Sequence, residues 1–482
     1  MKEQTIVFKV HHNGYLKVYP PVLTSANELD SHYSARSFLA GVGAQLTHLD
    51  LFGPITEQVK ISQKSVKDTP TEKLYDGFIG ILCGAQGIVE VNKLVRSDLG
   101  LQQAFGRARC AEQSVIQETL DASTVDTVDQ MESAIAEIYR RHAHGYRHDY
   151  SAEIQILDAD MSGQPCGPKA TFATKGYFAK QRNRRGRQRG RVLASRYNEI
   201  VVERVFEGKT QLAKALQPLI QDTEQTLGTD QSSEKRARTL VRIDSGGGTQ
   251  ADVNWLLNRD YLILTKDYST ARARKAAKTV AQWVDDPCHP GRQVGLVTAP
   301  APEYDNPVLR IAVRCRKNNG QWGVGLLITN LMPDDIASLT DIESGILDDP
   351  DALWLAYAYC YDQRGGAVET SFKQDNQALK IKKRNKKRFE AQQVLSQLEA
   401  LAHNVLVWAY QWLTDAQPTL KPIGFVRLIR DVLTTSGKLV FDEQGHLVEI
   451  LLNAADSLVR PWMRSLKILL SSQHVAVNLG KT

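Results

Sequence analysis

The spacing of hydrophobic and polar positions changes near residue 150 of the chain. Between residues 35 and 145 apolar side chains recur at helical spacing, as in LYDGFIGILCGAQGIVEVNKLV and AEQSVIQETLDA, which predicts α-helices. From residue 151 a spacing of two prevails, and it predicts strands in EIQILDADMSG, TLVRID, YLILTK, LRIAVRC and WGVGLLITN. Helical stretches such as TQADVNWLLNR alternate with these strands, so we expect an α/β fold. The first 30 residues are expected to form short strands.

The helical region contains a connector, RSDLGLQQAFGRARC, between two predicted helices. This arrangement is compatible with a helix-turn-helix that presents Gln113, Ser114 and Gln117 on an exposed face. A helical bundle that reads no bases has the same pattern, because any two helices joined by a glycine-containing connector produce it. The sequence therefore leaves both interpretations open.

Basic residues are unevenly distributed along the chain. The net charge of the 482 residues is only +6, yet seven of the twelve positions in 180–191 and seven of the nine in 380–388 are Lys or Arg. Such clusters are either solvated faces or sites for a polyanion, of which nucleic acid is the obvious candidate. We expect residues 182–191 to form a glycine-containing loop whose Arg184, Arg185 and Arg187 contact phosphates without reading bases.

Cysteine usage and hydropathy bear on the redox compartment of the protein and on whether it associates with a membrane. The six cysteines show no close pairing, which argues against disulfides and a cysteine zinc site and fits a reducing cytoplasm. Hydrophobic residues make up 42% of the chain, but they form no run of about 18 residues, so no membrane partner is expected.

Three acidic positions stand near the ends of predicted strands. Asp158 and Asp160 lie two residues apart in EIQILDADMSG, hence on the same face of a strand. Asp244 follows the hydrophobic strand TLVRI and precedes a glycine loop and a helix capped by Thr249. Ligands collect at the carboxyl edge of α/β sheets, so these carboxylates are candidates to share a cation. Each of them is also compatible with an ordinary turn residue that hydrogen-bonds its own loop.

A further acidic residue, Glu369, lies in YCYDQRGGAVETSFKQDNQALKIKKRNKKRF. We expect it near the start of a helix that follows a break at the glycine pair 365–366. Lys373, Asn376 and Lys380 would then share its helical face, at positions +4, +7 and +11. Taken alone, this pattern also describes an exposed charged helix.

Two strand-borne Asp residues followed by a helix-borne Glu resemble the catalytic residues of DDE transposases. Within that class the chain is similar to transposases of prokaryotic insertion sequences with a Tyr-Arg-Glu-Lys signature, and Tyr361, Arg364 and Glu369 match its first three members. The blocks QILDADMSGQPCG, GYFAKQRNRRGRQRGR, RIDSGGGT and RFEAQQVLSQLEALAHNVLVW are also similar. The resemblance covers roughly residues 80 to 480.

The chain departs from this signature in two places. Four residues separate Arg364 from Glu369, where the family has three, and Asn376 occupies the position of the lysine. Lys373 and Lys380 are therefore the candidates to replace that lysine.

The resemblance implies an RNase H-like catalytic core interrupted by a β-rich insertion domain, with a helical DNA-binding domain before it. The predicted division is a mainly helical DNA-binding domain (1–150), the first part of the core (151–265), the insertion (266–345), the completion of the core with the Glu-bearing helix (346–415) and a C-terminal region (416–482).

The resemblance also implies the chemistry. Asp160, Asp244 and Glu369 would hold two Mg²⁺ ions, for which Mn²⁺ can substitute, with Asp158 as the alternative first ligand. Such a site would cleave phosphodiesters and transfer strands in cut-and-paste transposition. Tyr361 and Arg364 would contact DNA. The expected partners are double-stranded DNA, at transposon-end inverted repeats and at the target, and a second copy of the chain.

Two other functions remain open from the sequence. The first is a non-catalytic DNA-binding protein derived from a transposase, such as a repressor. The second, a tyrosine recombinase, would require a covalent adduct between protein and DNA.

Overall fold

The computed structural model describes residues 9–10, 16–17, 30–64, 67–178, 181 and 183–480. The α-helices of this part are α1 (Ser37–His48), α2 (Gly53–Gln58), α3 (Pro70–Leu82), α4 (Val91–Leu94), α5 (Leu99–Ala104), α6 (Gln113–Asp121), α7 (Val125–His142), α8 (Leu212–Leu227), α9 (Ser233–Ala237), α10 (Gln250–Leu257), α11 (Thr270–Ala277), α12 (Pro333–Thr340), α13 (Pro350–Arg364), α14 (Thr370–Gln377), α15 (Phe389–Asp415), α16 (Phe425–Arg427) and α17 (Val459–Leu469). The strands are β1 (Lys9–Val10), β2 (Leu16–Lys17), β3 (Asp30–Ser34), β4 (Gln155–Pro165), β5 (Thr174–Lys175), β6 (Arg185–Ala194), β7 (Glu199–Glu207), β8 (Thr239–Ile243), β9 (Leu262–Lys266), β10 (Val284–Asp285), β11 (Arg292–Leu296), β12 (Leu309–Arg316), β13 (Trp322–Thr329), β14 (Gly437–Phe441), β15 (Leu447–Asn453) and β16 (Ala476–Gly480). Most of the N-terminal segment predicted as short strands lies outside the described residues.

The larger of two compact units is built on one ten-stranded sheet and comprises residues 50–97 and 110–430. Its strand order is β10-β11-β12-β13-β9-β8-β4-β6-β5, and β7 pairs with β6. β4, β8 and β9 run parallel to one another, whereas β6 is antiparallel to β4 and β7 is antiparallel to β6. The predicted mixture of helices and strands is therefore confirmed.

Helices cover both faces of this sheet. On one face, Ile156 of β4 and Leu240 of β8 belong to a buried cluster with Tyr357 of α13. On the other face, Leu219 of α8 lies so close to Gly190 of β6 that a side chain there would collide with it. With both faces covered, β8 is buried along its whole length, as the central parallel strands of such sheets usually are. In the part of the chain that the structure describes, no helix is both long and apolar enough to cross a membrane.

The smaller unit combines described residues of 1–49 with residues 98–109 and 431–482. Its four-stranded sheet has the order β16-β15-β14-β3. Phe38 of α1 meets Trp462 of α17 edge to face, with ring centroids 6.5 Å apart, and both side chains are buried. This unit has its own hydrophobic core.

The structure corrects the predicted division of the chain at residue 150. The N-terminal region does not form one domain, because α1 and α5 belong to the smaller unit and α2, α3, α6 and α7 to the larger one. The C-terminal region is divided too, at residue 430. Strand pairing between distant segments, here β3 with β14, leaves no mark on local hydrophobic periodicity.

The β-rich segment predicted for residues 266–345 is present as strands β10–β13. It does not form a separate sheet, because β13 pairs antiparallel with β9 and so extends the main sheet. An unpaired edge of β9 would expose its N–H and C=O groups, and the neighbouring hairpin satisfies them.

Candidate active site

Asp158 and Asp160 lie on the same face of β4 but in different surroundings. Asp158 is fully buried and accepts two hydrogen bonds from the Arg242 guanidinium of β8, at 2.7 and 2.8 Å. The Ser195 hydroxyl also donates to Asp158. These contacts occupy the Asp158 carboxylate, so Asp160 is the better candidate for the first acidic position of the site.

Asp160 faces other charged groups. Its Oδ1 accepts a hydrogen bond from the Met161 amide at 2.7 Å, and its Oδ2 lies 3.2 Å from Nη1 of Arg364. Burial, together with the negative charges of Asp244 and Glu369, raises the pKa of Asp160 to about 6, although Arg364 opposes the shift. The three sequence-predicted carboxylates therefore interact electrostatically.

Asp244 follows directly on β8, next to β4. Because the two strands are parallel, with Ala159 opposite Ile243, Asp160 lies level with Asp244 at the carboxyl end of β8. The predicted strand end at Asp160 is wrong, since β4 continues to Pro165. The Gly246 amide donates to Asp244 Oδ1 at 2.8 Å, which fixes the carboxylate above the glycine turn. The predicted helix cap is confirmed, since the Thr249 hydroxyl accepts from an amide of the first turn of α10.

Glu369 lies at the end of a π-helical turn, residues 365–369, that joins α13 to α14 without interruption. The predicted helix break at the glycine pair 365–366 is therefore wrong. A π-helical turn hydrogen-bonds residues five apart and so accommodates one extra residue. Arg364 and Glu369 consequently lie on the same side, with Nη2 of Arg364 2.5 Å from Oε1 of Glu369.

Arg364 thus bridges two of the three carboxylates. Its side chain is 7% exposed, and its Nε is buried without a hydrogen-bond partner among the described residues. Among the described residues no group of three or more His, Cys, Asp or Glu side chains is arranged to hold a metal ion. In this structure Glu369 is directed to Arg364 rather than to the pair Asp160 and Asp244.

Tyr361 lies one helical turn before Arg364. Its ring centroid is 5.8 Å from the Arg364 guanidinium carbon. Burial raises the pKa of Tyr361 to about 12, opposed by Arg364. The phenol therefore stays protonated at neutral pH and can donate a hydrogen bond.

A cavity of roughly 600 Å³ opens beside Asp160 and Asp244. This volume falls within the range of ligand-binding clefts. Its walls carry Lys382 and three aromatic residues, Tyr177, Phe178 and Tyr268. The sequence interpretation missed these aromatic residues, because they stand in irregular segments that no periodicity marks.

The lysines proposed from the sequence lie elsewhere. α14 ends at Gln377, and Lys380 adopts a left-handed backbone conformation (φ 56°) beyond it, so it does not share the helical face of Glu369. Lys373 is exposed on α14. Neither contributes to the cavity, whereas Lys382 does. Lys382 belongs to the basic cluster at residues 380–388, but the sequence does not show that this lysine lines the cavity while Lys380 does not.

The basic segment 182–191 is a strand for most of its length, which corrects the predicted loop. Arg182 lies outside the described residues, and β6 begins at Arg185. Arg187 is fully buried and donates to three backbone carbonyls, so it cannot contact DNA in this structure. Only Arg184 and Arg185 of this predicted set are exposed.

The predicted helix-turn-helix face is also not free. Gln113, Ser114 and Gln117 are half-buried on α6. The Gln117 side chain accepts a hydrogen bond from Lys386 at 2.6 Å and donates one to Asp121 at 2.9 Å. These contacts favour the alternative interpretation, in which this helix is part of a bundle.

Comparison with known proteins gives no family assignment. No family model matches the chain, and no curated protein does. Among solved structures, the chain is similar to a piggyBac transposase, described as a synaptic complex with hairpin DNA, over 84% of this chain and 83% of that one. The TM-score is 0.44 and the sequence identity is 14%, so the similarity carries no argument about this chain's function.

Proposed function

We propose that this chain is a DNA transposase of the DDE type, with an RNase H-like core, that cleaves phosphodiesters and transfers strands. The observation that carries this proposal is the placement of three acidic residues. Asp160, in the middle of β4, lies level with Asp244, which directly follows the neighbouring parallel strand β8, and Glu369, on the adjacent helix, is coupled to Asp160 through Arg364. This is the order and the type of element that the resemblance to DDE transposases implies.

The carboxylates fit Mg²⁺ by the chemistry of their donor atoms. Mg²⁺ takes oxygen ligands and is often bound by one or two carboxylates together with substrate phosphates. Asp160 and Asp244 would provide these two, and Glu369 would join them on release from Arg364. When bound, Mg²⁺ would neutralise the charge that develops on the phosphate and lower the pKa of the attacking group.

The other side chains of the site would bind and orient the DNA. Arg364 has a buried Nε without a partner among the described residues, and a phosphate would compete with Glu369 for its guanidinium donors. The protonated Tyr361 phenol would donate to a phosphodiester oxygen. Lys382, at the wall of the cavity, would hold a neighbouring phosphate. Lys373 and Lys380 are no longer the best candidates for this role.

A basic helix face begins at the mouth of the cavity. Tyr268, which lines the cavity and is half exposed, directly precedes the cap of α11. Arg274, Lys275 and Lys278 are exposed on this helix or just beyond its end, while Ala273 is buried against the sheet. We therefore place the DNA backbone along α11. Arg184, directly before β6, and Arg185, the exposed first residue of β6, remain proposed phosphate contacts.

The proposal is tested with the full-length protein and DNA from the two flanks of its gene. Asp160→Asn, Asp244→Asn and Glu369→Gln should each abolish Mg²⁺-dependent nicking and retain DNA binding, because they remove charge while keeping volume. Asp341→Asn is the matched control. Asp341 is exposed and has a left-handed backbone (φ 56°), which Asn adopts readily, so this variant should nick normally.

The same assay separates the alternatives. Normal nicking by Asp244→Asn would refute the site. Binding of the flanking DNA without nicking by the wild-type protein, in Mg²⁺ and in Mn²⁺, would favour the non-catalytic DNA-binding protein. A protein–DNA adduct that survives denaturation would favour a tyrosine recombinase.

A further inference from the structure

Arg191 of β6 stands opposite Asp160 in the main sheet. The two are Cα partners in the antiparallel pairing of β4 with β6, so their side chains leave the same face. Arg191 is 1% exposed, although the sequence pattern predicted it in a glycine-containing loop that contacts phosphates. Its position links it directly to the strand that carries the first acidic residue of the site.

The Arg191 side chain reaches across to α14, the helix that begins directly after Glu369. It forms an ion pair with Asp375, with Nη2 2.7 Å from Oδ2, and it donates a hydrogen bond to the Ser371 hydroxyl. Its guanidinium carbon lies 4.3 Å from the centroid of the Phe372 ring. The Arg191 side chain thus contacts residues on two successive turns of α14.

Two other elements hold this contact in place. Glu203 of β7 accepts from Nε of Arg191 at 2.8 Å, which orients the guanidinium. His403 of α15 approaches Asp375 from the other side, with Nδ1 2.7 Å from Oδ1. Burial would raise the pKa of Asp375, but His403 and Arg191 outweigh it and hold that pKa at about 2. Asp375 is therefore ionised throughout the neutral range.

We propose that Arg191 is a positioning residue that sets the separation between Asp160 and Glu369. This inference rests on the proposed function, in which the two carboxylates act on one metal site. A buried ion pair adds little net stability, because the desolvation of both charges offsets their attraction. What Arg191 supplies is a fixed geometry between a strand and a helix that carry two ligands of the site.

The test compares Arg191→Lys with Arg189→Lys in the full-length, DNA-free protein. Arg189 is a matched control: it lies two residues away on the same face of β6, is 2% exposed, and pairs with Glu203 and Glu399 rather than with α14. Both variants should lower the melting temperature. Well below both transitions, only Arg191→Lys should weaken Mn²⁺ binding measured by electron paramagnetic resonance, by about tenfold, as expected for a residue that orients a metal ligand.

Two further variants make the test specific. Asp375→Asn removes the other half of the link and should weaken Mn²⁺ binding as Arg191→Lys does, and the double variant should bind no more weakly than either single one. Equal Mn²⁺ affinity in Arg191→Lys and Arg189→Lys would overturn the positioning role alone, provided that Asp244→Asn loses Mn²⁺. Wild-type Mn²⁺ binding in Asp244→Asn would overturn the proposed site itself, and this inference with it.

Discussion

Asp158 and Asp160 are identical residues on one strand face, yet their electrostatic surroundings differ. Asp158 is neutralised by Arg242, which lies opposite it across β4 and β8. Burial raises the pKa of Asp160 to about 6, with smaller contributions from the charges of Asp244 and Glu369 and against the opposing charge of Arg364. The first is part of a structural ion pair, and the second has a raised pKa, a feature that is frequent at functional sites.

Because of this difference, replacing Asp160 and replacing Asp158 by Asn should change the stability of the metal-free protein in opposite directions. The pKa of Asp160 is raised from 3.8 to about 6, so its contribution favours the folded state at low pH and is lost as the pH rises through this window. Asp160→Asn should therefore stabilise the protein by roughly 2–3 kcal/mol above pH 6 and have no such effect below pH 4. Urea denaturation in the presence of a chelator at both pH values measures it.

Asp158→Asn is the control for that experiment. It leaves the Arg242 charge buried without its partner, which destabilises proteins by about 3–5 kcal/mol. Two variants that destabilise equally at neutral pH would show that Asp160 is also an ordinary structural residue.

The sequence predicts the strands near the acidic residues but not the contacts that those residues make. Local hydrophobic patterns place Asp160 within a strand and Asp244 directly after one. The choice between Asp158 and Asp160 depends on Arg242, which comes from another strand. Similarly, Arg187 and Arg191 lie in a run that is polar by composition, and only their partners on distant elements show that they are buried.

Among the elements, the π-helical turn accommodates the four residues between Arg364 and Glu369, one more than in the transposases that the sequence resembles. Residues five apart on an α-helix are about 140° apart around its axis, whereas residues five apart in a π-helical turn align. The additional residue is accommodated in the turn, where neither glycine of the pair 365–366 has a neighbour within 4 Å of the position of a Cβ atom. Arg364 and Glu369 therefore keep the contact that a four-residue spacing gives.

Deletion of Gly366 should convert the turn to ordinary α-helix and keep Arg364 and Glu369 on one side. We expect this variant to fold and to bind Mn²⁺ like the wild type, because the helices on either side keep their faces. Deletion of the exposed Tyr359, in the regular part of α13, is the control and should lower the melting temperature strongly, since it rotates one side of the helix by about 100°. An equal decrease in melting temperature in the two deletion variants would show that the π-helical turn does not result from one inserted residue.

The α11 face predicts a measurable electrostatic effect on DNA binding. Replacing Arg274, Lys275 and Lys278 by Gln should reduce the slope of log affinity against log salt by roughly 2–3 if all three neutralise phosphates. The matched control replaces the three exposed basic residues of α17, Arg460, Arg464 and Lys467, which removes the same charge from the smaller unit. Equal slopes in both variants would attribute the effect to net charge and not to α11.

At the scale of the whole molecule, the elements were easier to predict than their pairing. The strands around Asp160 and Asp244, the alternating helices and the β-rich segment before Glu369 follow from periodicity. The smaller unit does not, because β3 pairs with β14 and α1 packs on α17, more than four hundred residues away along the chain. Such long-range pairing depends on which faces fit together and not on local spacing.

This organisation predicts how the chain responds to loss of its C-terminal segment. Removal of residues 431–482 takes away β14, β15 and β16, which leaves β3 without its partner and uncovers the apolar face of α1. In the truncated chain, hydrogen exchange should show loss of protection in residues 37–48 and 99–104, while β8 and β9 stay protected because their hydrogen bonds lie within the larger unit. Trp462→Ala in the full-length protein provides the milder control, since loss of this buried ring destabilises by about 3–5 kcal/mol and should weaken protection in the same segments first. If residues 1–150 instead formed an independent N-terminal domain, α1 would stay protected from hydrogen exchange in the truncated chain. That result would show that the core of the smaller unit does not depend on its C-terminal strands.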